Sequence, residues 1–135
     1  MVNKQYCVTA FVLSLLILFV AGCSTAKFNQ VETLKAPADE ALIFFYRTGN
    51  VGGAIKYHVH DSEGKPVGYL GKSGDSFTIT VPPGTHQFWS RAASTNDVVL
   101  NVEAGKVYYV KGTVNMGFVV GRPVLEQVSK SAVPQ

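Results

Sequence analysis

From Ala41 onward the chain is cut into short segments rich in aromatic and β-branched residues, each closed by a cluster of Gly, Pro, Asn or Asp. That punctuation leaves no stretch long enough for a periodic helix and fits short strands with tight connections. Ala41 to Arg47 (ALIFFYR) is an almost continuous apolar run, suited to a central strand. Ala54 to His60 (AIKYHVH) alternates, with Ile55, Tyr57 and Val59 on one face and Lys56, His58 and His60 on the other. Asp61-Ser62-Glu63-Gly64 turns the chain into Pro66 to Leu70, and Ser76 to Val81 (SFTITV) directs Phe77, Ile79 and Val81 inward. Pro82-Pro83-Gly84 is a sharp turn, because proline fixes φ and glycine accepts the conformations proline cannot. Thr85 to Arg91 follows with Phe88 and Trp89, and Val98, Leu100 and Val102 form the apolar side of the next strand. Glu103-Ala104-Gly105-Lys106 leads into Val107 to Val114 (VYYVKGTV), and Phe118 to Val120 with Val124 to Val128 completes the set. The pattern predicts an all-β domain over 39–130, an antiparallel β-sandwich of about 7–8 short strands, with 131–135 as a tail.

The residues before Ala41 read differently. Met1 to Tyr6 is a short polar lead with one lysine, Lys4, and Val8 to Val20 is uncharged and apolar apart from Thr9 and Ser14. A charged lead, a short apolar core and a small-residue exit form the layout of a secretory signal peptide. The apolar run is short for a spanning helix, which needs roughly 20 residues. Val20-Ala21-Gly22-Cys23 resembles the lipobox of bacterial lipoproteins, a branched apolar residue and two small ones before an obligatory cysteine. The resemblance implies cleavage between Gly22 and Cys23. It also implies a diacylglyceryl thioether on Cys23, whose new amine can carry a further acyl chain. Residues 1–22 are then a cleaved signal peptide and 23–38 a lipidated N-terminus and flexible tether, with room for a short helix in its second half. Cys7 leaves with the signal segment, so the chain would fold without a disulfide despite export to an oxidising compartment. Ser24 after the cysteine, where lipoproteins retained in the inner membrane carry aspartate, implies the inner leaflet of the outer membrane, facing the periplasm.

Composition narrows the partners. Removing 22 of the 135 residues leaves a single domain's length, and losing Lys4 lowers the formal net charge from +3 to +2. No run of Lys or Arg exists, so nucleic acid is not an expected partner. No cofactor is expected either.

Taken together, Pro37-Ala38-Asp39-Glu40-Ala41 leading into FFYR, Val81-Pro82-Pro83-Gly84-Thr85-His86, Glu103-Ala104-Gly105-Lys106-Val107-Tyr108-Tyr109-Val110 and Gly121-Arg122-Pro123 with Leu125 and Val128 resemble a family of small bacterial lipoproteins. The domain those proteins share has no assigned function. The resemblance spans roughly residues 37 to 128. It is also similar to small β-sandwich modules in which a PPG-x-H stretch closes a hairpin and AGK-x-YY opens a strand. It implies fold and location and transfers no catalytic residue.

Candidate chemistry is sparse. His58 and His60, two apart on a strand, project from one face and could share a metal ion, with Asp61 or His86 as a third ligand. The bland reading is a polar strand face. Gly71-Lys72-Ser73-Gly74 is not a phosphate loop, because Pro66 stands where the first glycine is needed and a strand follows where a helix is needed. No GxSxG elbow is present, and Ser90 and Ser94 have no base at motif spacing, so an enzyme is not expected. Tyr57, Tyr69, Trp89, Tyr108 and Tyr109 could build a platform for glycan or peptide. If Phe88 points inward, Trp89, Gln87 and Arg91 point outward, which makes Trp89, Arg91 and Tyr57 the candidate contacts. The leading expectation is a non-enzymatic accessory or interaction module, held to the membrane by lipid on Cys23 and facing an envelope protein or glycan. The alternative is a small-ligand or metal-binding lipoprotein centred on His58 and His60.

Overall fold

The computed structural model describes residues 27–135. Gly22, Cys23, Cys7 and the apolar leader lie outside the described residues. Eight strands run in chain order: β1 Ala41–Arg47, β2 Tyr57–Asp61, β3 Pro66–Leu70, β4 Ser76–Val81, β5 Gly84–Arg91, β6 Thr95–Val102, β7 Val107–Met116 and β8 Gly121–Val128. They form two four-stranded sheets, a first sheet in the order β4-β1-β7-β8 and a second in the order β3-β2-β5-β6. The expected all-β sandwich is present, with one exception to its antiparallel pairing. β1 and β7 are parallel, Leu42 opposite Val107 through Arg47 opposite Gly112. These strands are separated in sequence by the whole second sheet, so no hairpin dictates their relative direction.

Pro82-Pro83-Gly84 is a sharp turn with Gly84 at φ +130°, but it closes no hairpin. β4 pairs with β1 and β5 pairs with β2 and β6, so the turn carries the chain from one sheet to the other. The Asp61–Gly64 turn does join a hairpin. One Asp61 carboxylate oxygen accepts the amides of Glu63 (3.0 Å) and Lys65 (2.9 Å), and Gly64 takes φ +82°. Phe118–Val120, expected to be strand, is instead the connection between β7 and β8, with all three residues exposed.

The inward faces of both sheets meet in one core containing Ile43, Phe45, Tyr57, Val59, Phe88, Leu100, Val110 and Leu125. Phe45 stacks on Phe77 at 4.8 Å and meets Phe88 edge-on at 5.3 Å. Gly68 of β3 lies directly under the Phe77 ring of β4, a space no Cβ could share, so the edges of the two sheets close together there. At the other edge Asn96 Oδ1 accepts the Leu125 amide at 2.7 Å.

A second apolar cluster covers the outer face of the first sheet and redraws both ends of the domain. β1 is buried on both sides, so Phe44 and Tyr46 point away from the main core and need their own cover. Phe28 and Val31 supply it from a 3₁₀ turn, Asn29–Thr33, and Val133 from the C-terminal segment. The Phe28 ring stands edge-on to Phe44 (5.8 Å) and Tyr46 (5.1 Å), and its amide donates to Pro134 O at 2.9 Å. The expected flexible tether therefore ends at about Phe28, and the expected tail at 131–135 is packed against it. The single turn falls in the middle of 23–38, where apolar Phe28 and Val31, three apart, face the sheet.

Burial pushes the Tyr57 phenol up to about 12, against the opposing effect of the Arg47 charge, and pushes the Tyr46 phenol up to about 12, with Glu126 adding to the shift. In the unfolded chain both ionise at about 10. Stability from these groups is thus intact below about pH 10 and is lost as pH rises through about 12. Denaturation midpoints measured across that window should fall steeply, and Tyr57→Phe should flatten the fall. An unchanged slope in that variant would exclude Tyr57 as a source.

Candidate functional site

The outer face of the second sheet carries the largest gathering of chemically distinctive side chains among the described residues. Strand alternation sends Phe88 and Ser90 into the core and leaves Gln87, Trp89 and Arg91 outside. The same alternation in β2 buries Tyr57 and Val59 and turns His58 and His60 outward. A register shift between Val59 and His60 in the β2–β3 pairing places His60 opposite Pro66, and the β2–β5 pairing places it opposite Trp89.

Four rings from three strands form a row. Tyr69 of β3 lies 5.0 Å from His58, whose ring is 6.3 Å from His60, which stacks on Trp89 at 4.3 Å and 16°. Trp89 is half-buried and donates its indole N–H to Asp61 O at 2.8 Å, which fixes the ring against the sheet. His60 Nδ1 is enclosed and has no hydrogen-bond partner among the described residues. Beyond Trp89, Gln87 donates to the Asp97 carboxylate at 2.9 Å, and Val99 of β6 is exposed. The row thus combines fixed aromatic area, imidazole polarity and an apolar flank, with Arg91 exposed at its edge.

Among the expected contacts, Trp89 and Arg91 stand on this face and Tyr57 does not. Tyr57 is buried, with its hydroxyl 3.5 Å from Thr113 O and the Arg47 guanidinium 5.4 Å from its ring centroid. Its parity with Ile55 and Val59 already assigned it to the core side. Of the five rings expected in a platform, Tyr69 and Trp89 take part. Tyr109 belongs to the second apolar cluster, and the Tyr108 hydroxyl accepts the Glu103 amide at 2.9 Å.

His58 and His60 share the face as expected, but neither third ligand joins them. His86 has the same parity as Phe88, packs beside that ring and holds Pro82 O at 2.7 Å. The Asp61 carboxylate is engaged in its own turn. Among the described residues no three His, Cys, Asp or Glu side chains gather closely enough to hold a metal ion. The amides of Gly71 and Lys72 both donate to Asp75 Oδ2 (2.7 and 2.9 Å), so that loop offers phosphate no free donors from those two residues. Ser90 is sealed in the interior, where no substrate reaches its hydroxyl.

The structurally decisive residue that sequence reasoning passed over is Arg47. It is 1% exposed. Its Nη1 faces the carbonyls of Ile55 (2.6 Å), Gly71 (3.0 Å) and Leu70 (3.2 Å), and Nη2 donates to Gly52 O at 2.9 Å. Arg47 thereby ties the loop after β1 and the end of β3 to the end of the sandwich. The available signal was an arginine closing an otherwise apolar strand just before a Gly-rich break.

No known family profile matches this chain. An uncharacterized protein of Haemophilus influenzae is 26% identical over 123 residues, covering 84% of this chain and 71% of the relative. That likeness assigns neither chemistry nor partner. No helix among the described residues is long and apolar enough to cross a membrane.

Proposed function

We propose that the chain is a non-catalytic, lipid-anchored module of the bacterial envelope that presents the outer face of its second sheet to an envelope protein. The observation that carries this reading is the solvent-facing row of Tyr69, His58, His60 and Trp89 with exposed Arg91 and Val99 beside it. Rigid amphipathic rings next to an arginine supply contact area at low entropic cost, the composition favoured at protein interfaces. The lipobox-like Val20–Cys23 supports anchoring through lipid on Cys23, and Ser24 supports the inner leaflet of the outer membrane, facing the periplasm. The resemblance to small bacterial lipoproteins points the same way.

A photoreactive residue at position 69 or 99 should crosslink one defined protein in intact cells, whereas one at position 106, at the end of the sandwich, should not. Arg91→Ala should weaken the crosslink at 69 roughly tenfold or more, as removal of an interface hot spot does. Recovery of glycan instead would replace the protein partner by a sugar stacking on the rings. Indiscriminate recovery from 69, 99 and 106 alike would remove this face from consideration.

A further inference from the structure

The two most exposed large apolar residues among those described, Phe118 and Val119, are not on that face. They crown the hairpin between β7 and β8, where Met116 and Val120 are also exposed. Phe118 is as open as in an extended chain, and Val119 is 84% exposed. The hairpin is held upright. Gly117 N donates to Val120 O at 2.8 Å, and Gly121 at its base is overlain by Ile55 and Val114. Val51, 57% exposed, stands in the neighbouring loop, whose Gly52 abuts Val114. Four exposed apolar residues close together in sequence at a hydrogen-bonded turn are costly to leave in water and mark a contact surface.

Charge is divided along the long axis of the sandwich. Lys56, Lys72, Arg91 and Arg122 surround the tip end, all exposed, and none of the four is ion-paired among the described residues. The carboxylate at that end, Asp75, is occupied by two backbone amides. The opposite end carries Asp39, Glu40, Asp61 and Glu63 against Lys65, with Glu103 ion-paired to Lys106. An apolar tip within a basic collar complements an anionic lipid surface, while the acidic end would be repelled by it.

The path of the chain agrees. Phe28 packs on Tyr46, and Gln30 donates to Ser76 Oγ at 3.0 Å. Tyr46 and Ser76 pair at the Arg47 end of the first sheet, so the chain enters near the end that bears the tip. β7 continues past Gly112, the partner of Arg47, to Met116, carrying the tip about 13 Å further. The five residue steps from Phe28 back to Cys23 span up to about 17 Å, enough for lipid on Cys23 and the tip to reach one plane.

We infer that the β7–β8 tip is a membrane wedge: Phe118, Val119 and Val120 seat in an anionic lipid surface and orient the domain, with its acidic end directed away from the bilayer. This inference rests on the lipid-anchored reading above, and the test separates the two. Full-length chain processed in bacteria is reconstituted in vesicles of phosphatidylethanolamine and phosphatidylglycerol. It carries Phe118→Trp in a Trp89→Phe background, with Val99→Trp in the same background as control. An indole seated about 5–10 Å into the headgroup boundary should emit further to the blue and be quenched by brominated lipid, and one at position 99 should not. Replacing phosphatidylglycerol by phosphatidylcholine should reduce that quenching, as should Arg122→Gln. Chain that sediments with vesicles but leaves position 118 as unquenched as position 99 overturns the wedge and leaves anchoring intact. That is also the result if the tip docks on a protein. Chain that fails to sediment overturns the anchoring and the wedge together.

Discussion

Arg47→Ala is expected to destabilise the domain by about 3–5 kcal/mol, through the carbonyls it leaves without their charged donor. The guanidinium faces four carbonyls, those of Ile55, Leu70, Gly71 and Gly52, and no carboxylate shares the site among the described residues. Removing it takes the charged donor from the Ile55, Leu70 and Gly71 oxygens, while Gly52 O keeps the Ile55 amide, and leaves a void under Tyr57. Hydrogen bonds to a charged group contribute about 1.5–3 kcal/mol each, though four that share one cation do not add in full. Arg47→Met separates the terms, since it fills much of the volume and supplies no donor. Arg47→Lys restores the charge but cannot fork toward two loops at once. The expected order of denaturation midpoints is wild type, then Arg47→Lys, then Arg47→Met, with Arg47→Ala lowest. Equal midpoints for Arg47→Met and wild type would show that packing alone, and not carbonyl capture, is what the residue supplies.

The second large effect concerns Cys23. Under the lipid-anchored proposal, Cys23→Ala abolishes both acylation and cleavage after Gly22. Each buried methylene of a lost chain removes about 0.8 kcal/mol of membrane affinity, so removal of two or more chains takes away stable anchoring. Fractionation should then show the wild-type chain in the membrane pellet as a shortened, acylated species. The variant should keep its full length and should not incorporate labelled palmitate. A Cys23→Ala chain that is still shortened and still pelleted would refute the lipobox reading. The packed Phe28–Val31 segment sharpens this expectation: with the chain fixed to the sheet from Phe28, four residues separate it from Cys23, and the anchor holds the domain close to the bilayer.

The strands were legible because each had a local cause. β1, β3 and β4 lie where alternation or a closed apolar run begins and ends at turn residues, and their bounds match the expected segments. The face assignments of Trp89, Arg91, His58 and His60 followed from period two once Phe88 and Val59 were inside. Tyr57 shows the limit of choosing residues by type. Its aromatic ring makes it a candidate contact, although its own alternation places it in the core. The stack of His60 on Trp89 could not be read at all, because it depends on which strands are neighbours, and β2 and β5 are separated in sequence by β3 and β4.

Residues 1–135 by themselves determined the strand-and-turn grammar, the inward and outward faces and the lipobox-like pattern that ends at Cys23. These are local patterns, set by backbone sterics and by side-chain period within a few residues. Only the tertiary structure decided that Pro82-Pro83-Gly84 crosses between sheets, that Phe28, Val31 and Val133 close a second core, and that Arg47 is buried. It alone also brought Phe118–Val120 out as a bare tip ringed by basic residues. Those outcomes depend on the packing of segments far apart in sequence. A strand's composition records how much surface it must bury, but not which distant partner covers it.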